Sequence, residues 1–445
     1  EGRAANVSLG YLNGTLTTSG DKVYQITNTG GTKINLNGVY NSGETLPSGN
    51  LNYRGDIWMD ISGGAFGIIA GGVTNEWSTN LQTSTLTGDT HVQLSGNATA
   101  EHVIGGNNKG ASTTLTGNTN VTVIGGSTSA HNAVTTITGN TSVLVTNVQY
   151  SNTAQNLDGG LSNSYIIGGS SWSSNTTSGT TIQGSTSATI NLNGITLSGT
   201  EEHNSFVKTI IGGSYGNVNN AGTVNNINGD TSVSIIGREG ITFTGDIIGG
   251  SFENSGQAQY TIGGNSSISI SGDSTFTGNI YGGSYSKVPG NTGSTMTTAG
   301  NITVELGTGT YRGNIYGAGN KGTAGGDVLV SLTGGSVFGA EGQDGGITVG
   351  GSAGAAVEGN RTLELKGTFG NGDFQNVTFI RFDEINIAQE GASATIWALT
   401  DSPSLTKTGA GTLTLGADAA GAETILDGTT EGITISEGSL NLSGA

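Results

Sequence analysis

Nine times along this chain, two aliphatic or aromatic residues lead into a glycine pair or a close variant, usually with Ser next. The phrase reads Ile68-Ile69-Ala70-Gly71-Gly72, Val103-Ile104-Gly105-Gly106, Val123-Ile124-Gly125-Gly126-Ser127, Ile166-Ile167-Gly168-Gly169-Ser170 and Ile210-Ile211-Gly212-Gly213-Ser214. It returns as Ile247-Ile248-Gly249-Gly250-Ser251, Ile280-Tyr281-Gly282-Gly283-Ser284, Ile315-Tyr316-Gly317-Ala318-Gly319 and Thr348-Val349-Gly350-Gly351-Ser352. A chain that repeats at roughly 20 to 50 residues is a stack of units, each burying its apolar face against the next.

A second phrase is interleaved: Gly, then Asp, Asn or Ser, then an alternating run, as in Gly229-Asp230-Thr231-Ser232-Val233-Ser234-Ile235. Its glycines are Gly88, Gly117, Gly139, Gly184, Gly229, Gly264, Gly300, Gly326 and Gly359, at steps of 29, 22, 45, 45, 35, 36, 26 and 33. Period-two alternation with Val, Ile and Leu on one side and Thr, Ser and Asn on the other reads as strands with one buried face. The expected fold is therefore all-β, a right-handed parallel β-helix (β-solenoid) of many Gly/Asn/Thr/Ser-rich coils. A unit could be one wide coil or two narrow ones. At roughly 12 to 20 coils spaced ~4.8 Å, the rod would be about 60 to 100 Å long. The expected division is N-terminal capping coils over 1–60, a repetitive solenoid over 61–368 and C-terminal coils over 369–445.

Composition supports this and removes alternatives. The chain has 445 residues with 82 Gly, yet only 3 Pro and no glycine at every third position, which excludes collagen. Alternating runs such as Val304-Glu305-Leu306 argue against disorder. A net charge of −18 argues against nucleic acid and anionic membrane surfaces as partners. There is no Cys, which suits a chain exported through an oxidising compartment. No apolar run approaches ~18 residues, and Glu1-Gly2-Arg3-Ala4-Ala5 lacks the core of a signal peptide.

The glycine pairs are expected where a corner needs positive φ or where backbones approach too closely for a Cβ. A phosphate cradle would occur once, ahead of a helix and with a Lys. Asp89, Asn118, Asn140, Asp230, Asn265, Asn301, Asp327 and Asn360 are expected to line one edge. Calcium would want carboxylates at every rung. An amide ladder satisfying turn backbones is the expectation, and no cofactor or metal is assigned.

From about Phe369 the texture changes. Leu405-Thr406-Lys407-Thr408-Gly409-Ala410-Gly411-Thr412-Leu413-Thr414-Leu415 is followed by Gly428-Thr429-Thr430 and Gly438-Ser439-Leu440-Asn441-Leu442. This pattern, over about residues 405–442, resembles the passenger-associated β-strand repeat of bacterial autotransporters. The resemblance implies a secreted or cell-surface β-helix associated with the outer membrane of a Gram-negative-type cell. No outer-membrane barrel follows within the 445 residues, so the anchor is expected to lie outside this sequence, to be cleaved off, or never to have been present.

No catalytic residues are assigned, and the chain is read as a non-enzyme. His91, His102, His131 and His203 lack the spacing of a metal pair. The carboxylate pairs Asp56/Asp60, Glu201-Glu202 and Asp383-Glu384 have no cluster of basic residues to stabilise an enolate beside them. Arg54-Gly55-Asp56 spells an integrin-type tripeptide but precedes a strand, Ile57-Trp58-Met59. Trp172, Tyr215, Phe252 and Tyr285 follow glycine pairs and are expected to fill a corner rather than offer a sugar platform. Thr-x-Thr pairs such as Thr85-Leu86-Thr87 and Thr136-Ile137-Thr138 raise ice binding, but in the sequence they do not recur at one fixed rung. The expected function is an adhesin, stalk or self-associating fibre subunit whose partners are copies of itself or host and matrix glycans and proteins. Glycan binding is the alternative, and a polysaccharide-active β-helix the third reading.

Overall fold

The computed structural model describes residues 5–8, 22–27, 34–37, 49–71, 81–105, 113–116, 119–124, 129–132, 136–137, 139–146, 165–172, 181–193, 205–206, 208–216, 224–254, 257–287, 295–339, 346–402, 404–416 and 432–443. These residues form an all-β parallel solenoid with no helix among them. One turn of it runs Val224–Ile227, Thr231–Ile236, Thr242–Phe243, Ile247–Ile248 and Phe252–Glu253. The next turn starts at Gln259–Ile262, directly above Val224–Ile227. Val233 is thus in register with Ile268, Val304, Val330 and Leu363, at offsets of 35, 36, 26 and 33 residues. Each repeat unit is one wide coil, which settles the choice left open by spacing alone.

The Gly-Asp/Asn strands build the longest ladder. Among the described residues it counts fifteen strands, from Ala5–Ser8 through Thr231–Ile236 to Gly432–Ile435. Fourteen intervals of ~4.8 Å give a column about 67 Å long. Alternation works as the residue types demand. In Thr231–Ile236 the side chains of Thr231, Val233 and Ile235 are buried, while Ser232, Ser234 and Ile236 are part-exposed. Each buried Val, Leu or Ile gains about 1.5–3 kcal/mol over exposure, and stacking repeats that gain at every rung.

A second interior column is aromatic. Phe206, Phe243, Phe276, Tyr311, Phe338 and Phe374 lie ring over ring with centroids 4.9 to 5.6 Å apart, all buried. Its sequence mark is Thr-Phe or Thr-Tyr at Thr242, Thr275 and Thr310, a weaker signal than the glycine phrases.

The glycine pairs are explained by close approach. A Cβ on Gly168, Gly212, Gly249 or Gly282 would run into the carbonyl oxygen of Gly212, Gly249, Gly282 or Gly317 on the next coil. None of these glycines has positive φ, so the corner reading gives way to the packing one. The phrase at Val123-Ile124 is a correction. Val123 and Ile124 belong to the long ladder, in register with Val145 and Thr146, and Ser129–Asn132 takes the glycine-pair position beside Val103 and Ile166. Matching Val121 and Val123 to the column of Val92 and Leu94 fixes that short coil's register.

Toward the C-terminus the cross-section changes. Ser393–Ile396, Thr412–Gly416 and Ser439–Ser443 form a separate three-stranded ladder beside the last coils.

Candidate functional site

The polar residues the sequence offers as site candidates form inter-coil ladders. Asp56 Oδ1 accepts the Asp89 N–H at 2.8 Å, and Asn140 Oδ1 accepts Ser185 N–H at 2.7 Å. Above them Asp230, Asn265, Asn301 and Asp327 each accept the backbone N–H of the next coil, at 2.7, 2.9, 3.0 and 2.8 Å. Asn118 lies outside the described residues. The preceding glycine is forced by the same bond, because a Cβ on Gly264, Gly300, Gly326 or Gly359 would meet the oxygen of Asp230, Asn265, Asn301 or Asp327. The edge row is therefore a backbone-satisfying ladder. Among the described residues no three His, Asp or Glu converge as a metal site would require.

Two further ladders were hidden in the sequence. Asp246, Asn279 and Asn314 accept the N–H of Asn279, Asn314 and Thr348 at 2.8, 3.0 and 2.8 Å. The mark was Gly-Asp/Asn-Ile at Gly245, Gly278 and Gly313. Burial raises the Asp246 carboxyl, opposed by its bonds to Asn279. The Ser after the glycine pair has its own role: Ser251 and Ser284 hydroxyls accept the N–H of Ser214 and Ser251 at 3.1 and 3.0 Å. Inside the coil, Thr90, Thr141, Thr186 and Ser266 donate to the carbonyls of Gly105, Gly168, Gly212 and Gly282 at 2.5 to 2.6 Å.

The carboxylate pairs are dispersed. Gln93 Nε2 donates to Asp60 Oδ1 at 3.4 Å. Asp383 takes a two-pronged bond from Arg361, at 2.8 and 2.6 Å, which raises the guanidinium's pKa. Glu384 accepts from Asn360 at 3.0 Å and from Thr408 at 2.5 Å. Glu201, Glu202 and His203 lie outside the described residues. Arg54-Gly55-Asp56 occupies the same corner as Thr87-Gly88-Asp89 one coil on, and Ile57 does begin a strand. His91 stacks on exposed Trp58 at 3.6 Å between ring centres; burial lowers its pKa, opposed by Asp89 and Asp56. His102 and His131 sit on the glycine-pair ladder, one coil apart.

Tyr215, Phe252 and Tyr285 share one register column, and Tyr165, Tyr281 and Tyr316 from the neighbouring glycine-pair ladder pack in the same cluster. Tyr215, Phe252 and Tyr281 are buried against Ile167, Ile211 and Ile248, forming a small core outside the main one. This is the corner-filling role; Trp172 is one residue off the column, beside Gly216. Behind it lies a buried polar group that the sequence did not advertise. Tyr260 donates its hydroxyl to the fully buried Glu253 at 2.6 Å, with Asn225 alongside, and burial followed by Glu253 drives the phenol well above its usual range.

The Thr-x-Thr pairs require a correction. Thr85, Thr114 and Thr136, each the first residue of such a pair, are register partners in one ladder and so do recur at a fixed rung position, and Thr181, followed by Gln183, continues the first column alone. Variable loop lengths hide that register in the linear sequence.

In the C-terminal coils, Lys407 takes the place in the aliphatic column held below it by Leu363 and Ile385. Its side chain is fully buried. Nζ donates to the carbonyls of Gly409, Gly411 and Glu437 at 2.5, 2.6 and 3.1 Å. Gly438, at φ +76°, leaves room for that ammonium. No protein-family model, curated protein or solved structure matches the chain.

Proposed function

We propose that the chain is an extracellular or cell-surface structural β-solenoid of the autotransporter-passenger kind, acting as adhesin, stalk or self-associating fibre subunit. The observation that carries this reading is the Lys407 coil. Lys407, Gly409, Gly411 and Gly438, the residues of the passenger-associated pattern, act together as one device that interrupts an aliphatic column and ties two successive coils. The ladders support it further. Inter-coil bonds engage the row of Asp and Asn side chains, which suits a stiff rod. Glycan binding is the second reading, favoured by Trp58, which is 48% exposed beside the Asp60–Gln93 pair.

The test is display. The full chain, placed between an export leader and an outer-membrane barrel in a Gram-negative host, should become protease-accessible on intact cells. It should also promote cell clumping or attachment. Retention inside the cell, or display without any clumping, attachment or glycan-array binding, would overturn the proposal. So would hydrolysis of an acidic polysaccharide that is lost in Asp60→Asn.

A further inference from the structure

One ladder places threonines at seven of eight successive rungs of one register position, with Asn226 at the other. Its successive strands include Leu81–Thr87, Thr113–Thr116, Thr136–Ile137, Thr181–Ile182, Val224–Ile227, Gln259–Ile262, Met296–Thr298 and Thr323–Ala324. A single register position runs Thr85, Thr114, Thr136, Thr181, Asn226, Thr261, Thr297, Thr323. From Thr181 onward this position alternates with the buried Ile182, Ile227, Ile262, Thr298 and Ala324, so it faces outward; Thr261 is exposed and the others are half-buried. Unlike the interior hydroxyls of Thr90, Thr141 and Thr186, those of Thr181, Thr261, Thr297 and Thr323 make no protein hydrogen bond among the described residues.

Charge is kept off this line. Two residues further along the chain from these positions stand Thr87, Thr116, Gln183, Asn228, Gly263, Ala299 and Gly325, with Thr138, at the remaining rung, outside the described residues. Neither set carries a charge over these eight rungs, in a chain whose residues are 10% charged overall, and charge enters only on the flanking rungs, at Arg54 and Glu358. Threonine's β-branch stiffens χ1, so its methyl and hydroxyl are held in place before any ligand arrives. The rungs repeat every ~4.8 Å. Water oxygens linked at about 2.75 Å in a tetrahedral network have second neighbours about 4.5 Å apart. From Thr181 onward the line therefore offers the hydroxyls of Thr181, Thr261, Thr297 and Thr323, unbonded among the described residues, at rungs whose spacing is near the repeat of crystalline water.

We propose that this threonine face binds ice, its ligand an ordered layer of water. A discrete glycan would be recognised by a few convergent groups and an aromatic face; a long periodic line fits a periodic ligand. The inference does not depend on how the chain is displayed.

Purified full chain is assayed for inhibition of ice recrystallisation and for a gap between melting and freezing points. Thr261→Lys and Thr181→Lys should lose most of both activities, and Thr261→Ala part of them. Ser269→Lys, on the outward side of the long ladder, should keep them. Circular dichroism melts establish that each variant is folded, and Thr261→Ala serves if a lysine variant is not. Absence of ice activity in the unaltered chain overturns the proposal. So does equal loss in Ser269→Lys, or binding to insoluble cellulose or chitin that Thr261→Lys abolishes without any ice activity.

Discussion

Replacing Lys407 with Met should loosen the end of the column and leave its middle intact. Met keeps the length and apolar stem but removes an ammonium that binds three carbonyls. Hydrogen bonds to a charged group are worth about 1.5–3 kcal/mol each, and a buried acceptor left alone costs about 1–3 kcal/mol. Gly411 is buried, so its carbonyl is stranded; Gly409 and Glu437 are reachable by water and recover most of their loss. Relief of the lysine's own desolvation offsets part of the rest. The net is about 2–3 kcal/mol, borne locally because solenoid coils interact mainly with their neighbours. Hydrogen exchange by mass spectrometry should show amides of residues 404–416 and 432–443 opening roughly 30- to 140-fold faster, with residues 231–306 unchanged. Lys407→Arg should not rescue, because a planar fork does not fit a three-carbonyl cup built for a point charge. Unchanged exchange in 404–416 and 432–443, or the same acceleration along the whole column, would refute the reasoning.

Gly282→Ala drives a methyl into the Gly317 carbonyl and the Val304 side chain, and should cost about 3 kcal/mol in denaturant melts; tolerance of Ala would remove close approach as the reason for the pair. Asn265→Ala leaves the exposed Asn301 N–H to water and should cost only the net value of one hydrogen bond, about 0.5–1.5 kcal/mol, while Asn265→Asp should be nearly neutral, since Asp230 and Asp327 already serve in that row. Burial raises the phenols of Tyr215, Tyr260, Tyr281, Tyr311 and Tyr316. Below pH 10 both folded and unfolded chains keep those protons; above it only the unfolded chain ionises, so stability should fall as pH rises from 10. Melting temperature and phenolate absorbance followed together check this, and ionisation of all twelve tyrosines near pH 10 in a chain still fully folded would contradict it.

What could be read from the residues was whatever each coil repeats locally. Gly264-Asn265 and Gly300-Asn301 announce both the turn and its ladder, because one bond requires both residues. Val233 and Ile235 announce the buried face by alternation. What escaped depended on vertical neighbours. Loops of unequal length conceal that Phe243 lies under Phe276, or Thr85 under Thr114. Tyr260 and Glu253 are seven residues apart across a turn, with no spacing rule to join them. The coil's width could not be had from period alone, since one wide and two narrow coils repeat equally often. The phrase at Val123-Ile124 misled because composition matched the glycine-pair motif while hydrophobic register placed it elsewhere.

The central claim is that each unit is one wide coil, stacked in parallel on the next. Ser142, Ser187, Ser232, Ser267, Thr303, Leu329 and Thr362 form one vertical line of seven residues. The chain has no Cys of its own, so Ser142→Cys and Thr362→Cys can be spin-labelled cleanly. Pulsed electron resonance should give a narrow distribution near six rungs, about 29 Å, between residues far apart in sequence. A distance near twice that, as two narrow coils per unit would require, or a broad distribution, would contradict the account.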